Sequence, residues 1–270
     1  MVPYASMSIR AQAVDAVKEV AQRMGYEIRA RRYYFVDPFE DQVKLLEHCA
    51  RPLVLLDVGA NEGQTIDAYR RVLGEEPVIH AFEPTPELAD GLERRYGADR
   101  NVKIHRLAVS DRSGTATFHV MGMSVLNSLL EMTPDDTTYR TGATVASELE
   151  VATTPLDEFC AAHGVGHVNV LKLDIQGAEI KALTGAERLL SERKVDLLFI
   201  EVVFSTMYKG QAYFPEIMEL LTRHQYRLYG LYDMAREING TLGWCNAIFV
   251  SQALYARLPG DFWSARAAGP

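Results

Sequence analysis

From Pro52 onward the chain alternates between two hydrophobic periods. Leu53–Val58 is an apolar run with β-branched residues, broken only by Asp57, and reads as a buried strand that ends in a carboxylate. The run turns at Gly59, and Gln64–Leu73 then places its apolar residues at helical spacing. The unit recurs as strand Val78–Glu83, helix Pro86–Tyr96 and strand Val102–Leu107. Proline suits that helix start because the first turn has no use for its missing N–H. Further on come helix Leu156–Ala162, strand Val168–Leu173, helix Ala178–Leu190, strand Val195–Val203 and helix Phe214–His224. Tyr226–Tyr232 and Asn246–Ser251 read as two strands of a hairpin with a long connection. Alternation of this kind predicts an α/β domain, a parallel sheet with helices on both faces.

Two stretches depart from the alternation. Ile9–Met24 has helical spacing stopped by Gly25, Arg29–Val36 reads as a short strand, and Glu40–Cys49 follows Pro38 as a second helix. This predicts an N-terminal helical extension over 1–50 joined to a main domain over 51–270. The second departure follows the turn Asp111–Gly114 and an edge strand over Thr115–Val120. Met121–Glu150 is rich in Ser, Thr, Gly and Met, and a long irregular segment inside a compact domain is usually functional. It is expected to be a lid or substrate loop, about 121–150.

Composition narrows the function classes. The 270 residues are 48% hydrophobic and 24% charged, with a formal net charge of −8. No basic field favours nucleic acid or an anionic membrane; Arg29, Arg31 and Arg32 read as a solvated cluster. The three cysteines, Cys49, Cys160 and Cys245, are widely spaced with no CxxC, which points to a reducing, cytoplasmic setting rather than a disulfide framework or zinc site. Met1–Arg10 lacks the pattern of a secretory leader, and no apolar run approaches the ~20 residues of a membrane span.

The chemistry concentrates at strand ends, where open parallel sheets keep their ligands. Asp57-Val-Gly-Ala-Asn-Glu-Gly63 joins a strand to a helix through two glycines, so the backbone can approach a ligand. It lacks the third glycine of the dinucleotide fingerprint. Glu83, in Ala81-Phe-Glu-Pro84, ends the second strand, where a carboxylate accepts from both hydroxyls of a ribose or caps the next helix. Ala108-Val-Ser-Asp111 suits an adenine pocket or a plain turn. Lys172 and Asp174 fall on one side of the strand in Lys172-Leu-Asp-Ile-Gln-Gly-Ala-Glu179, a charged pair that is costly unless paired or functional. Glu179 caps a helix or takes part in catalysis. Glu201, in the apolar strand Phe199–Val203, pairs structurally with Lys172 or belongs to an acceptor pocket. His119 and His167 are remote general-base candidates; no HExxH, GxSxG or P-loop motif is present.

Taken in order, these motifs, with Asn127-Ser-Leu129, resemble the FkbM-type family of class I S-adenosylmethionine-dependent methyltransferases over roughly Leu53–Val203. The resemblance implies a Rossmann-like seven-stranded, mostly parallel sheet with one antiparallel strand. It implies S-adenosylmethionine as methyl donor and O-methylation of a sugar, glycolipid or natural-product hydroxyl. Asp57, Gly59, Ala60, Asn61 and Gly63 would then hold the methionine and ribose side, Glu83 and Pro84 the ribose, and Val109, Ser110 and Asp111 the adenine. Asp174 would stand at the reacting centre and is the leading base, with Glu201 and Lys172 beside it. Gln176, where the family often has Glu, is given no acid–base role. A sugar hydroxyl is a poor nucleophile, so a carboxylate or a divalent cation such as Mg²⁺, held by Asp174, Glu179 and Glu201, is needed to activate it. Among the late aromatics, Tyr208, Tyr213, Phe214, Tyr232 and Trp244 suit stacking on a sugar ring or core packing. Partners are a small-molecule acceptor and, optionally, a second copy of the chain. Two further readings stay open on the residues: a nicotinamide-dependent oxidoreductase on a related sheet, and a non-catalytic interaction module.

Overall fold

The computed structural model describes residues 37–133, 145–237 and 239–258, together with 17, 20, 21, 23 and 24. Met1–Val36 and Asp37–Pro270 are separate compact units. Val17, Val20, Ala21 and Arg23 are helical; the rest of the helix expected over Ile9–Met24, and the strand expected over Arg29–Val36, lie outside the described residues. The division expected at 50/51 passes through the second unit. Its first helix, α1 (Pro38–Leu46), starts earlier than the expected Glu40 because the Asp37 carboxylate accepts the N–H of Phe39 at 2.8 Å and Glu40 at 3.3 Å. That is an ordinary N-cap, and proline follows it at no cost.

Seven strands form the main sheet in the order β3 (Val102–His105), β2 (Val78–Phe82), β1 (Val54–Val58), β7 (Val168–Leu173), β8 (Val195–Val203), β10 (Leu242–Ser251), β9 (Tyr226–Arg236). All neighbouring pairs from β3 to β8 are parallel, and β10 runs antiparallel to both β8 and β9. The chain is thus wound outward in both directions from β1, and the reversal lies between β1 and β7. A doubly wound sheet opens its crevice at that point, at the strands' carboxyl ends.

Strand parity assigns the two faces. Leu55, Ile79, Val170, Leu197 and Phe199 pack with Leu45 and Leu46 of α1, Ile66 and Tyr69 of α2 (Gln64–Leu73), and Leu92 and Tyr96 of α3 (Pro86–Tyr96). Leu56, Leu171, Leu198 and Ile200 pack on the other face with α4 (Leu156–His163), α5 (Glu179–Thr184), α6 (Glu187–Ser191) and α7 (Phe214–Arg223). Asp57, Lys172 and Glu201 therefore share the α1–α3 side of the sheet.

Three expectations change. The helix over Ala178–Leu190 is two short helices, α5 and α6, broken at Gly185. A Cβ there would lie 2.2 Å from the Ser110 carbonyl oxygen, and the Asp157 carboxylate caps α6 through the N–H of Arg188 (2.7 Å) and Leu189 (2.9 Å). The closing strands are longer than expected, because β9 and β10 stay paired past Trp244 through register shifts. The segment expected to be irregular over 121–150 contains most of β6 (Val145–Thr154), which pairs antiparallel with β5 (Gly114–Met121) and parallel with β4 (Ala108–Val109) in a small second sheet. Its first six residues are exposed or half-buried, so they lack the apolar alternation that marks a strand. Residues 134–144 of the expected lid lie outside the described residues.

Candidate active site

The turn after β1 is shaped by what it must pass. Gly59 has φ +81°, and a Cβ on it would stand 2.0 Å from the Asp174 carbonyl oxygen. Only glycine lets the β1 and β7 loops cross at that distance. The N–H groups of Gly59 and Ala60 both donate to the Phe82 carbonyl, at 3.1 and 3.0 Å, which ties the turn to β2. Gly63, also at positive φ, N-caps α2 and sits against the Tyr96 ring, 2.7 Å from an added Cβ. Asn61 takes φ +48° between them, and its N–H donates 2.9 Å to Glu83 Oε2.

Glu83 is the counterpart on β2. Its other oxygen, Oε1, accepts the Thr85 N–H at 2.9 Å, just before α3. The two expected roles, ligand holder and helix-start acceptor, are therefore not exclusive, since each carboxylate oxygen keeps a lone pair. Glu83 is buried yet lines the main cavity. Burial pushes its carboxyl up, against the N–H donors of Thr85 and Asn61.

Lys172 holds the floor. Its Nζ donates 2.7 Å to the Gly59 carbonyl and lies 3.1 Å from Asp57 Oδ1 and 3.6 Å from Asp174 Oδ2. Burial works against the ammonium, but the carboxylates of Asp57 and Asp174 hold its pKa above that of an ordinary lysine. Asp57 faces it across the β1–β7 register and is fully buried, with no hydrogen-bond donor aligned on either carboxylate oxygen. Asp57 and Asp174, not Glu201, are thus the ion-pair partners of Lys172.

Glu201 instead meets Gln176. The Gln176 side-chain nitrogen Nε2 donates to Glu201 Oε2 at 2.5 Å and to Asp174 Oδ1 at 3.0 Å. Its carbonyl Oε1 lies 3.1 Å from the Tyr208 hydroxyl, which is equally close to the Leu126 carbonyl oxygen and donates to one of the two. Burial, then Asp174 and Glu179, push the Glu201 carboxyl well above the ordinary glutamate value. The sequence offered Gln176 only as a departure from a family pattern; its bridging position depends on residues 25 and 32 places away.

A cavity of about 390 Å³ joins these groups. Gly59, Asn61, Glu83 and Pro84 line one part, Leu107, Ala108 and Val109 another, and Asp174, Gln176 and Glu201 a third. Ser124–Leu129 covers it, and Met207 and Trp244 complete the apolar wall. Ser128 fastens this cover, its Oγ donating 2.8 Å to the Gln176 carbonyl. A smaller pocket of about 200 Å³ meets the first at Asp174 and Glu201 and is lined by Phe39, Gln64, Thr65 and Lys172 at the start of α2.

Other expected residues lie elsewhere. Ser110 and Asp111 do not line the cavity; Ser110 Oγ donates 3.0 Å to Asp111 Oδ1, and only Val109 of that trio reaches the wall. Ala60 and Gly63 shape the turn from behind. Glu179 is buried, accepting the N–H groups of Ile175 and Gly177 at 3.2 and 3.3 Å, and burial raises its carboxyl to about 7. It is thereby withdrawn from the set expected to hold a cation, and no group of three His, Cys, Asp or Glu side chains suited to a metal ion is present among the described residues. His119 stands 3.3 Å from Glu148 and His167 2.9 Å from Asp196, both away from the cavity wall. Of the late aromatics Trp244 lines the cavity and Tyr208 reaches Gln176, whereas Tyr232 donates to Asp41 and Phe214 packs on Phe204. No helix among the described residues is long and apolar enough to cross a membrane.

The winding order, the single reversed strand β10 and a cavity bounded by the β1 turn and the β2 carboxylate define the class I methyltransferase fold. Residues 57–228 match the methyltransferase FkbM domain, and the chain belongs to that family. The nicotinamide-dependent reading is thereby set aside. Among curated relatives, 2-O-methyltransferase NoeI from Sinorhizobium fredii is 27% identical over 175 residues, 62% of this chain and 70% of NoeI. Hexuronic acid methyltransferase AglP from Haloferax volcanii is 26% identical over 159 residues, 58% of this chain and 59% of AglP. The crystal structure of methyltransferase FkbM from Methylobacillus flagellatus superposes with a TM-score of 0.46 at 17% identity, covering 73% of this chain and 43% of that one.

Proposed function

We propose that this protein transfers a methyl group from S-adenosylmethionine to a hydroxyl of a sugar, glycolipid or natural-product scaffold. The observation that carries the reading is the cavity's division of labour: a backbone-oriented carboxylate, Glu83, on one wall and the Asp174–Glu201 pair on another. The donor fits what is present. Asn61 lines the cavity between the β1 turn and Glu83, and its buried amide oxygen has no partner within the protein. Glu83 would accept the ribose hydroxyls, and Val109 would line the adenine end of the cavity. The first turn of α2, with Gln64 and Thr65 on the smaller pocket, suits a carboxylate at the amino-acid end.

When bound, the donor supplies a methyl already activated on a sulfonium. The chain has to align the acceptor oxygen and take its proton. Asp174 and Glu201 stand where that proton goes, and the covering segment excludes water. An oxygen acceptor is in keeping with the name of the 2-O-methyltransferase NoeI, and a sugar scaffold with that of the hexuronic acid methyltransferase AglP.

The test is methyl transfer from isotopically labelled S-adenosylmethionine to a panel of glycosides and glycolipids, with and without EDTA. Label is expected on a hydroxyl oxygen of at least one acceptor. Transfer is expected to survive EDTA, because Gln176 already bridges Asp174 and Glu201 and Glu179 is committed to backbone N–H groups. Label on carbon or nitrogen would contradict the reading.

A further inference from the structure

The carboxylate pair is joined by a neutral side chain whose orientation is determined. An amide in the Gln176 position has a donor end and an acceptor end. The donor nitrogen faces Asp174 Oδ1 and Glu201 Oε2, and the acceptor oxygen faces the Tyr208 hydroxyl. Turned around, it would set its oxygen against two carboxylates. The backbone adds a second constraint: Gln176 holds φ +55°, rare for a residue with a Cβ, and the Ser128 hydroxyl bonds its carbonyl. Ser128 also belongs to the segment covering the cavity. The clamp is therefore fixed at three points, on β8 through Glu201, on the cover through Ser128, and on Tyr208.

We propose that Gln176 is a positioning residue whose amide clamps Asp174 and Glu201 into one proton-accepting pair facing the donor cavity. The inference rests on the methyl-transfer reading for its purpose, but the clamp itself is a property of the free protein. Each amide hydrogen occupies one carboxylate oxygen, so an acceptor's proton is directed to the remaining oxygens. The other charged groups around the pair are Lys172 and Asp57 on the floor, Glu179 on α5 and Asp233 on β9. Glu at position 176 would place a third carboxyl among them and replace a donor by a repulsive charge.

Carboxyl-carbon NMR of the full chain with ¹³C-labelled glutamate, free of donor and acceptor, reads the clamp directly. The Glu201 signal is assigned by its loss in Glu201→Gln. In Gln176→Leu the donor to the charged form is gone, and in Gln176→Glu a like charge is added. The Glu201 midpoint is expected to rise in both by roughly one pH unit, a tenfold change in proton affinity. The acid limb of the pH–rate profile for methyl transfer should move with it. If Gln176→Leu fails to fold, Tyr208→Phe releases the amide's far end, and a smaller rise is expected. Midpoints that stay within about 0.3 unit of the wild type would overturn the proposal, even if the variants melt lower. Failure of the methyl-transfer reading shows instead as absent S-adenosylhomocysteine binding, which this titration does not involve.

Discussion

The two ends of the central strands each bury a carboxylate among cations and amides, and they do opposite things with it. At the amino end Asp196, the second residue of β8, is almost saturated. It accepts from His167 Nε2 at 2.9 Å, Asn169 Nδ2 at 2.8 Å and Arg257 Nη2 at 3.0 Å. Burial alone would raise its carboxyl, but these donors, His167 foremost, bring it below the ordinary aspartate value. Asn169 extends the knot to β1 by accepting the Val54 N–H at 2.8 Å. At the carboxyl end, five residues further along the same strand, Glu201 has its carboxyl pushed well up, and nearby Asn61, on the cavity wall, keeps a buried side-chain oxygen without a hydrogen-bond donor. Saturation marks a group that holds the fold together. Buried polar atoms left open at a cavity mark a place kept for something else.

The contrast can be tested from both sides. The largest effect is expected from Glu201→Gln, which preserves shape and can still accept from Gln176. Methyl transfer should fall on the order of 100-fold or more, because a proton acceptor is lost. The same substitution removes a buried charge without a cationic partner in contact, so thermal unfolding should move up by roughly 2–4 °C, about 1 kcal/mol. Asp196→Ala should do the reverse. It leaves Asn169, His167 and Arg257 without their acceptor and should cost about 2–3 kcal/mol, part of it discounted because His167 and Arg257 are half exposed. S-adenosylhomocysteine affinity should not change. If Asp196→Ala instead weakened that affinity, or Glu201→Gln lowered the melting point, the division between a structural and a functional end would fail.

The smallest effect is the pH slope of stability. Asp196 has a depressed folded pKa, so its contribution is present above the unfolded aspartate value and is lost as pH falls through the folded one. Glu201 has a raised folded pKa, so its contribution is complete below the unfolded glutamate value and is lost as pH rises toward the folded one. Denaturant titrations across pH should therefore show a shallower loss of stability above pH ~4.5 in Glu201→Gln than in the wild type.

How much of this was legible in the chain depends on how far each constraint reaches. α2, α3, β7 and β8 begin and end where the hydrophobic pattern places them, because capping, period and burial agree within each segment. The β1 turn could be located because a strand end, two glycines and a helix start lie within a few residues. The position of Glu83 at the end of β2 follows from the same local logic. The break at Gly185 was not legible, because its cause is the Ser110 carbonyl and the Asp157 cap from distant segments. Nor was β6, whose exposed first half carries no alternation. Gln176 and Asp196 were missed for one reason: an amide or a carboxylate inside an apolar pattern shows that something must satisfy it, but not which residue arrives to do so. Lys172 shows the limit from the other side, since its partner was sought on β8 and stands on β1.

The central claim is that the β1 turn and Glu83 form the donor's nucleoside site. Calorimetric titration of the full chain with S-adenosylhomocysteine tests it most directly. Saturable one-site binding is expected, reduced by roughly 100-fold in Glu83→Ala, where two charge-assisted hydrogen bonds to the ribose are lost. Asp196→Ala should bind as the wild type does. No binding by the wild type, or equal binding by Glu83→Ala, would contradict the account.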